Sequence, residues 1–205
     1  MTVRVKVCGI TRGEDAQAAI RYGADAVGFV FWPHSARYID LAVAAKITAS
    51  VPPFIVSVGV YVDPEVAWVE ETIRVARLSL LQFHGDETPE FCNQFSLPYI
   101  KAIRVKSDTD LLQYAKRYRS ASGLLLDAYA AEMPGGTGHT FDWQLIPSQL
   151  SLPLILSGGL NPDNVVSAIQ QTKPWAVDVS SGVEASKGIK DEKKIFAFMQ
   201  GVKQS

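Results

Sequence analysis

The stretch VRVKVC, residues 3–8, alternates valine with residues of different character. Because successive side chains of a β-strand point to opposite faces, the valines share one face and Arg4, Lys6 and Cys8 share the other. The pattern predicts a strand whose valines pack under helices. In a barrel the other face would line the lumen, and Cys8 would lie at the carboxyl-terminal mouth.

Short aliphatic runs recur along the chain at spacings of 19 to 29 residues, and segments of helical length separate them. The runs are Val3–Cys8, Ala26–Phe31, Phe54–Val62, Leu80–His84, Tyr99–Val105, Gly123–Asp127, Leu152–Ser157 and Ala176–Ser180. The helical segments are Glu14–Arg21, Leu41–Ser50, Pro64–Arg74, Thr88–Phe95, Asp108–Arg119, a short one near 142–146, Pro162–Gln171 and Glu192–Val202. This alternation predicts parallel strands joined by helical crossovers.

Eight such units in 205 residues take about 26 residues each, which suffices for a compact (β/α)8 TIM barrel. The alternative is an open, doubly wound α/β sheet. Its dinucleotide-binding form carries GxGxxG after an early strand, whereas the loop at residues 9–15 reads GITRGED. We therefore predict a single (β/α)8 barrel domain over residues 1–205, with eight parallel strands and outer helices.

Residues that favour helix N-termini precede five of the predicted helices. Two of these residues are followed by a proline, which suits the first helical position. The predicted caps are Thr11, Asp40, Asp63, Asn161 and Asp191, and the prolines are Pro64 and Pro162.

The composition indicates a folded protein with a small partner. Hydrophobic residues make up 47% of the chain, and 20 Lys and Arg against 21 Asp and Glu give a net charge of −1 without a basic patch. Neither nucleic acid nor a membrane surface is therefore an expected partner. The longest charge-free stretch, residues 143–162, contains three prolines and is not a membrane span. Only two cysteines and no signal-peptide pattern indicate the cytoplasm.

Two turns rich in glycine and serine follow the last two predicted strands, SGGLN at residues 157–161 and SSGVE at residues 180–184. In TIM barrels the loops after strands seven and eight frequently bind phosphate, because glycine lets backbone N–H groups approach an anion. Either loop alone could equally be an ordinary strand-to-helix turn. Their joint presence at these two places predicts a phosphate site.

Three further residues could carry chemistry, and each has an ordinary alternative. Cys8 could be a buried apolar residue, or a reactive group whose thiolate is favoured by Lys6 and by a helix beginning near Thr11. Asp127 ends a buried strand, where it is either a turn-former or an acid in the mouth. Arg37 is either a solvated loop residue or a clamp for a carboxylate.

Polar residues also recur with one parity near two strand ends, Gln82 with His84 and Asp178 with Ser180. His84 is either a core histidine or a supporting residue of the site. The histidines are spread over separate loops and strand ends, so no metal site is expected. They are His34, His84 and His139.

Taken in order, these segments resemble the phosphoribosylanthranilate isomerase family of tryptophan biosynthesis. The resemblance spans essentially the whole chain, and the strings KVCGIT and DVSSGVE are its most specific parts. The matching segments are Lys6–Thr11, Gly28–Phe31 leading to Ser35 and Arg37, Gly59–Tyr61, Gln82–Glu87, Leu126–Asp127, Gly135–Gly138 before Phe141–Trp143, Ser157–Leu160 and Asp178–Glu184.

The resemblance implies a cofactor-free Amadori rearrangement of a small phosphorylated substrate. By position, Asp127 would be the general acid that opens the ribose ring, and Cys8 the general base at ribose C2′. Arg37 would hold the anthranilate carboxylate, and Asp178 and His84 are further candidates for substrate contact. The backbone N–H groups that would hold the phosphate belong to Gly158, Gly159, Ser181 and Gly182. Members of the family are monomers or homodimers.

The chain departs from the family at two positions, with Phe83 in place of the usual leucine and Ala36 in place of a common proline. The second change leaves the aim of Arg37 in question. Other readings are a non-catalytic phosphosugar-binding barrel, indole-glycerol-phosphate synthase, ribulose-phosphate epimerase and a dual histidine/tryptophan isomerase. Cys8 together with Asp127 favours the isomerase over these.

Overall fold

Eight parallel strands form a closed barrel in which each strand pairs with the next and the eighth returns to the first. The structure, a computed structural model, describes residues 3–128, 142–147 and 149–205. The strands are β1 Arg4–Cys8, β2 Ala26–Val30, β3 Val56–Tyr61, β4 Leu80–Phe83, β5 Tyr99–Val105, β6 Gly123–Ala128, β7 Leu154–Leu156 and β8 Ala176–Val179. The predicted (β/α)8 barrel is confirmed, and the open sheet was the wrong alternative.

Helices connect consecutive strands and lie outside the barrel. They are α1 Gly13–Tyr22, α2 Leu41–Thr48, α3 Val66–Ala76, α4 Pro89–Asn93, α5 Leu111–Arg117, α6 Val165–Thr172 and α7 Glu192–Gln204. Between β6 and β7 the described residues contain only a 3₁₀ turn, Trp143–Leu145, where a short helix was expected. No helix in the described part of the chain is long and apolar enough to cross a membrane.

Two of the five predicted caps are confirmed. Asp40 accepts hydrogen bonds at 2.8 and 3.3 Å from two backbone N–H groups in the first turn of α2. Asp191 does the same for α7, at 2.8 and 3.2 Å. Both carboxylates therefore satisfy N–H groups that have no partner within the helix.

The other three predicted caps were wrong, because loop contacts use those side chains instead. Thr11 donates to the carbonyl of Gly188, Asp63 accepts from the N–H of Asp86, and the side chain of Asn161 stabilises the turn that follows it. The helices begin later than expected, after residues whose side chains make no capping hydrogen bond. Those residues are Arg12, Glu65 and Asn164.

The two faces of β1 separate as its alternation predicted. Val5 and Val7 are buried in the main core between the strands and the helices. Cys8 faces the lumen and packs with Val30 and Val60 in a small cluster near the carboxyl-terminal mouth. Lys6, on the same face, is 5% exposed. The lumen is therefore a packed interior with polar groups toward its mouth.

A short antiparallel hairpin follows β8, and the sequence patterns did not predict it. It consists of β9 Glu184–Ser186 and β10 Ile189–Lys190. Its turn contains Gly188, whose φ of +79° lies in the left-handed region that favours glycine. The hairpin lies between the last barrel strand and α7, beside the mouth of the barrel.

Candidate active site

A cleft of about 700 Å³ opens at the carboxyl-terminal ends of the barrel strands. Residues that are far apart in the chain meet there because all eight strands end at the same side of the barrel. Of the nine predicted site residues, eight line this cleft, namely Cys8, Arg37, His84, Asp127, Gly158, Gly159, Asp178 and Ser181. The roles of these residues remain predictions.

Cys8 ends β1 beside Gly28 of β2, with which it is paired across the two strands. A Cβ atom built on Gly28 would lie 2.8 Å from Cys8 Sγ. The absence of a side chain at position 28 therefore provides the space that the thiol occupies. The thiol is nearly enclosed, since Cys8 is 7% exposed.

The electrostatic surroundings of Cys8 differ from the expectation that the thiolate is favoured. Burial raises the pKa of the thiol, the Lys6 ammonium lowers it, and the Asp178 carboxylate raises it again, so that the pKa is raised overall. In addition, α1 begins only at Gly13. The expectation was wrong because desolvation of a buried thiolate outweighs the attraction of a single cation.

Lys6 and Asp178 form a buried ion pair next to Cys8. Lys6 Nζ donates to Asp178 Oδ1 over 2.6 Å, and Ser157 Oγ donates to Asp178 Oδ2 over 3.1 Å. Burial alone would lower the pKa of Lys6, but the Asp178 carboxylate and the thiol more than compensate and the pKa is raised. Asp178, predicted to contact substrate, is thus already bound by two side chains.

Asp127 lies near the end of β6 and faces His84, which follows β4. His84 Nε2 is 3.2 Å from Asp127 Oδ2, although the direction is not that of a hydrogen bond. On the other side of the ring, His84 Nδ1 is 3.2 Å from Gln82 Nε2. When the Gln82 amide donates to Nδ1, a neutral imidazole carries its proton on Nε2, toward the carboxylate. Asp127 itself is 4% exposed.

The other histidines do not join this site. His34 lies in an exposed loop against the Trp32 ring, and His139 lies outside the described residues. Within the described ranges, no group of three or more His, Cys, Asp or Glu side chains could hold a metal ion.

Arg37 reaches the cleft from the loop after β2, and its guanidinium is bound to Glu184. Arg37 Nε is 2.7 Å from Glu184 Oε1, and Nη2 is 2.8 Å from Oε2. This hydrogen bonding raises the pKa of Arg37. The sequence patterns assigned no role to Glu184, although the residue ends the SSGVE string, because its partner lies 147 positions away.

The two glycine loops lie side by side at the mouth. Gly158 and Gly159 have φ values of +82° and +69°, which turn the backbone sharply after β7. A Cβ atom on Gly182 would overlap the backbone of Leu160 and Asn161, so only glycine permits the loops to approach this closely. Gly182 supports the cleft without lining it. The predicted matching segment Gly135–Gly138 lies outside the described residues.

A closed barrel whose mouth combines glycine-rich loops after β7 and β8 with buried titratable side chains has the design of a phosphate-binding TIM-barrel enzyme. A family model described as N-(5'phosphoribosyl)anthranilate (PRA) isomerase matches residues 5–201. The chain belongs to this family, and the isomerase of tryptophan biosynthesis indicated by the sequence is confirmed.

Individual relatives agree with the family match. An N-(5'-phosphoribosyl)anthranilate isomerase of Nitrosospira multiformis is 69% identical over 202 residues, which cover 98% of this chain and 97% of the relative. The phosphoribosyl anthranilate isomerase structure from Thermotoga maritima is 44% identical with a TM-score of 0.91, covering 99% of this chain and all of that one. A phosphoribosyl anthranilate isomerase in complex with reduced 1-(o-carboxyphenylamino)-1-deoxyribulose 5-phosphate is 42% identical, with a TM-score of 0.88 and the same coverage.

Proposed function

We propose that Cys8 and Asp127 are the general base and the general acid that convert N-(5′-phosphoribosyl)anthranilate to 1-(2-carboxyphenylamino)-1-deoxyribulose 5-phosphate. The observation that carries this assignment is their placement in one cleft with the glycine loops and Arg37. Cys8 is the last residue of β1, and Asp127 lies near the end of β6. A small substrate between these two strands can therefore contact both side chains.

The reaction divides into ring opening and proton transfer. Asp127 gives its proton to the ribose ring oxygen while the C1′–O bond breaks, and the nitrogen lone pair forms an iminium at C1′. The Cys8 thiolate then takes the proton from C2′, and the C2′–H electrons form the C1′=C2′ bond of an enolamine while the π electrons of the C1′=N bond return to nitrogen. When this enolamine tautomerises, C1′ gains a proton and the C2′ hydroxyl loses one. No atoms or electrons are gained overall.

His84 supports the acid in this scheme. Its Nε2 is 3.2 Å from Asp127 Oδ2, and an imidazole protonated there can turn to stabilise the carboxylate that remains after proton donation. Lys6 supports the base in the same way, because its ammonium favours the thiolate that takes the C2′ proton. Asp178 holds Lys6 in place. We therefore assign Asp178 an indirect contribution to the base.

The substrate's two anionic groups are assigned to different donors of the cleft. The backbone N–H groups of Gly158 and Gly159 donate to no acceptor among the described residues, which suits them to receive a phosphate. Ser181 and Gly182 complete this side. Arg37 receives the anthranilate carboxylate through its guanidinium.

The remaining expectations are carried forward as proposals. The chain would act as one domain over residues 1–205, as a monomer or homodimer, in the cytoplasm. Two buried free cysteines, Cys8 and Cys92, are compatible with a reducing compartment. The substrate is small and phosphorylated, and neither nucleic acid nor a membrane is a partner.

The loss of anthranilate-type fluorescence tests the assignment directly, with phosphoribosylanthranilate generated in the assay. Wild-type protein should turn the substrate over, and Cys8→Ser and Asp127→Asn should each lose about 10²–10⁴-fold in kcat. The buried Cys92, which lies on α4, supplies a control, since Cys92→Ser should retain activity. Turnover that survives Cys8→Ser would leave the family activity intact and remove Cys8 as the base.

A further inference from the structure

Among the residues that the structure describes, hydrogen bonds occupy one edge of the Arg37 guanidinium. Glu184 binds the side-on edge, formed by Nε and Nη2, with two short hydrogen bonds of 2.7 and 2.8 Å. A guanidinium has five N–H donors, and this arrangement leaves the end-on fork of Nη1 and the second hydrogen of Nη2. Arg37 Nη1 makes no hydrogen bond to any of the described residues. That fork matches the geometry of a second carboxylate.

Two glycines lie close to the Arg37 loop, one against the Arg37 side chain and one against the backbone of Ala36. A Cβ atom on Gly9 would lie 2.7 Å from Arg37 Cδ, so the side chain passes directly over this glycine. On the other side, a Cβ atom on Gly188 would lie 3.0 Å from the carbonyl oxygen of Ala36. The β9–β10 hairpin therefore supports the Arg37 loop at two places, through Gly188 and through Glu184.

Lys190 holds Glu184 from behind. Its ammonium is fully buried and donates to Glu184 Oε1 at 3.0 Å and to the carbonyl and hydroxyl oxygens of Ser180 at 3.1 and 3.4 Å. Burial alone would raise the pKa of Glu184, but the bonds to Arg37 and Lys190 lower it overall. Glu184 is thus a fixed anion between two cations.

We propose that Glu184 is a positioning residue for the isomerase reaction, which orients Arg37 so that its end-on fork meets the carboxylate of the substrate. The inference rests on the proposed role of Arg37. It also explains how the chain manages without the proline that commonly precedes this arginine. The hairpin after β8 contacts the loop at Ala36 through Gly188 and at Arg37 through Glu184.

The charges around Arg37 also favour a substrate with a carboxylate. Arg37 and Lys190 pair with Glu184, and Lys194 donates to its backbone carbonyl at 2.7 Å, so this cluster carries an excess of positive charge that a substrate carboxylate can reduce. Lys190 has three N–H donors, and all three are used by the hydrogen bonds to Glu184 and to the two oxygens of Ser180. The uncompensated charge is therefore presented to the cleft by Arg37. The site should select substrates with a single carboxylate on the aromatic ring.

Two ligands test this orientation. The first is reduced 1-(o-carboxyphenylamino)-1-deoxyribulose 5-phosphate, the reduced product analogue, which carries a ring carboxylate. The second is the corresponding compound made from aniline, which lacks the carboxylate. Calorimetry measures the affinity ratio between the two ligands, which we call the carboxylate preference. Glu184→Gln keeps the size of the side chain but places an amide N–H against a guanidinium N–H. We expect this variant to lose roughly tenfold or more of the carboxylate preference. Arg37→Met should lose the preference entirely.

The double variant separates positioning from general support of the fold. In an Arg37→Met background, Glu184→Gln should cause no further change in the affinity for the reduced product analogue, because there is no guanidinium left to orient. Glu192→Gln is the matched control, since Glu192 is an exposed glutamate that pairs with Arg21. If Glu184→Gln does not fold, Glu184→Gln with Lys190→Met removes both buried charges and the same ratio is measured.

Three results would overturn the proposal. An unchanged or increased preference in Glu184→Gln would mean that Glu184 neutralises Arg37 or competes with the substrate. A loss of affinity for the reduced product analogue as large in the Arg37→Met background as in the wild-type background would mean that Glu184 acts on the fold rather than through Arg37. A wild-type protein that binds both analogues equally would remove the role proposed for Arg37, and with it this inference, while turnover would still report on Cys8 and Asp127.

Discussion

Two buried lysine–carboxylate pairs stand on opposite sides of the barrel wall. Lys101 of β5 faces outward and is saturated, because it donates to the carbonyls of Phe83 and Gly85 at 3.3 and 2.6 Å and to Glu87 at 2.7 Å. Lys6 faces the lumen, where it donates to Asp178 over 2.6 Å and interacts with the thiol of Cys8.

The difference shows what each pair contributes. The second oxygen of Glu87 accepts from the backbone N–H groups of Asp63 and Gly85, so the Lys101–Glu87 pair connects three segments of backbone. A saturated pair of this kind can only hold structure. The Lys6 ammonium keeps donors that are not satisfied by Asp178, and Cys8 is the group that feels its charge. The lumenal pair therefore contributes to the chemistry.

The largest effect should come from breaking the outward pair. Lys101→Met leaves the buried Glu87 carboxylate without its cation, and we expect the free energy of unfolding to fall by about 3–5 kcal/mol. The kcat of the protein that remains folded should change little. Denaturant unfolding and kinetics measure both quantities, with the exposed Lys193→Met as control. A large fall in kcat with unchanged stability would contradict the structural role.

Breaking the lumenal pair should affect catalysis. Lys6→Met removes the cation that favours the Cys8 thiolate, and kcat/KM should fall by about 10- to 1000-fold, as expected when an adjacent charge shifts a pKa by 1–3 units. Steady-state kinetics on folded protein measure this. If kcat/KM stays within twofold of wild type, Lys6 does not act on the base.

A third change moves the thiol without touching either pair. The Cβ atom of Gly28→Ala would lie 2.8 Å from Cys8 Sγ, and the side chain would have to shift. A displacement of the base by about 1 Å can cost about 10²-fold in rate. Gly13→Ala is the control, because nothing lies within 4 Å of a Cβ atom there. Full activity of Gly28→Ala would show that the position of the thiol is not critical.

The smallest effect concerns the ionisation of the Cys8 thiol. The rate of its reaction with a disulfide reagent, measured in a Cys92→Ser background, reports this ionisation. Burial raises the pKa of this thiol above its ordinary value of 9.0, so its reactivity should still be rising above pH 9. Stability should fall in the same range, because the unfolded chain loses the thiol proton first. Lys6→Met should move the titration to higher pH and Asp178→Asn to lower pH. If both variants shift the titration of Cys8 in the same direction, Lys6 and Asp178 do not act on the thiol with opposite sign.

The elements of the barrel could be predicted because each depends on local patterning. Residues 3–8 alternate because successive side chains of a strand point to opposite faces. The strand β5 was predicted at its observed bounds, Tyr99–Val105. Asp40 and Asp191 were recognised because a cap lies within three residues of its partners. The meeting of Cys8 with Asp127 follows from the barrel once the strand order is known.

Features that depend on distant contacts could not be predicted from patterns. Thr11 has the composition of a cap, but the hairpin after β8 uses its hydroxyl. The raised pKa of Cys8 depends on how completely closure of the barrel excludes water. The partnership of Arg37 with Glu184 joins loops after β2 and β8, and no spacing in the sequence reports it.

The most direct test of the account compares binding with turnover in Cys8→Ala and Asp127→Asn. Calorimetry with the reduced product analogue gives Kd, and the fluorescence assay gives kcat. If both residues perform the proton transfers, Kd should stay within a few-fold of wild type while kcat falls by about 10²–10⁴-fold. Turnover near the wild-type rate in either variant, or a loss of binding as large as the loss of kcat, would contradict the assignment of Cys8 and Asp127 as base and acid.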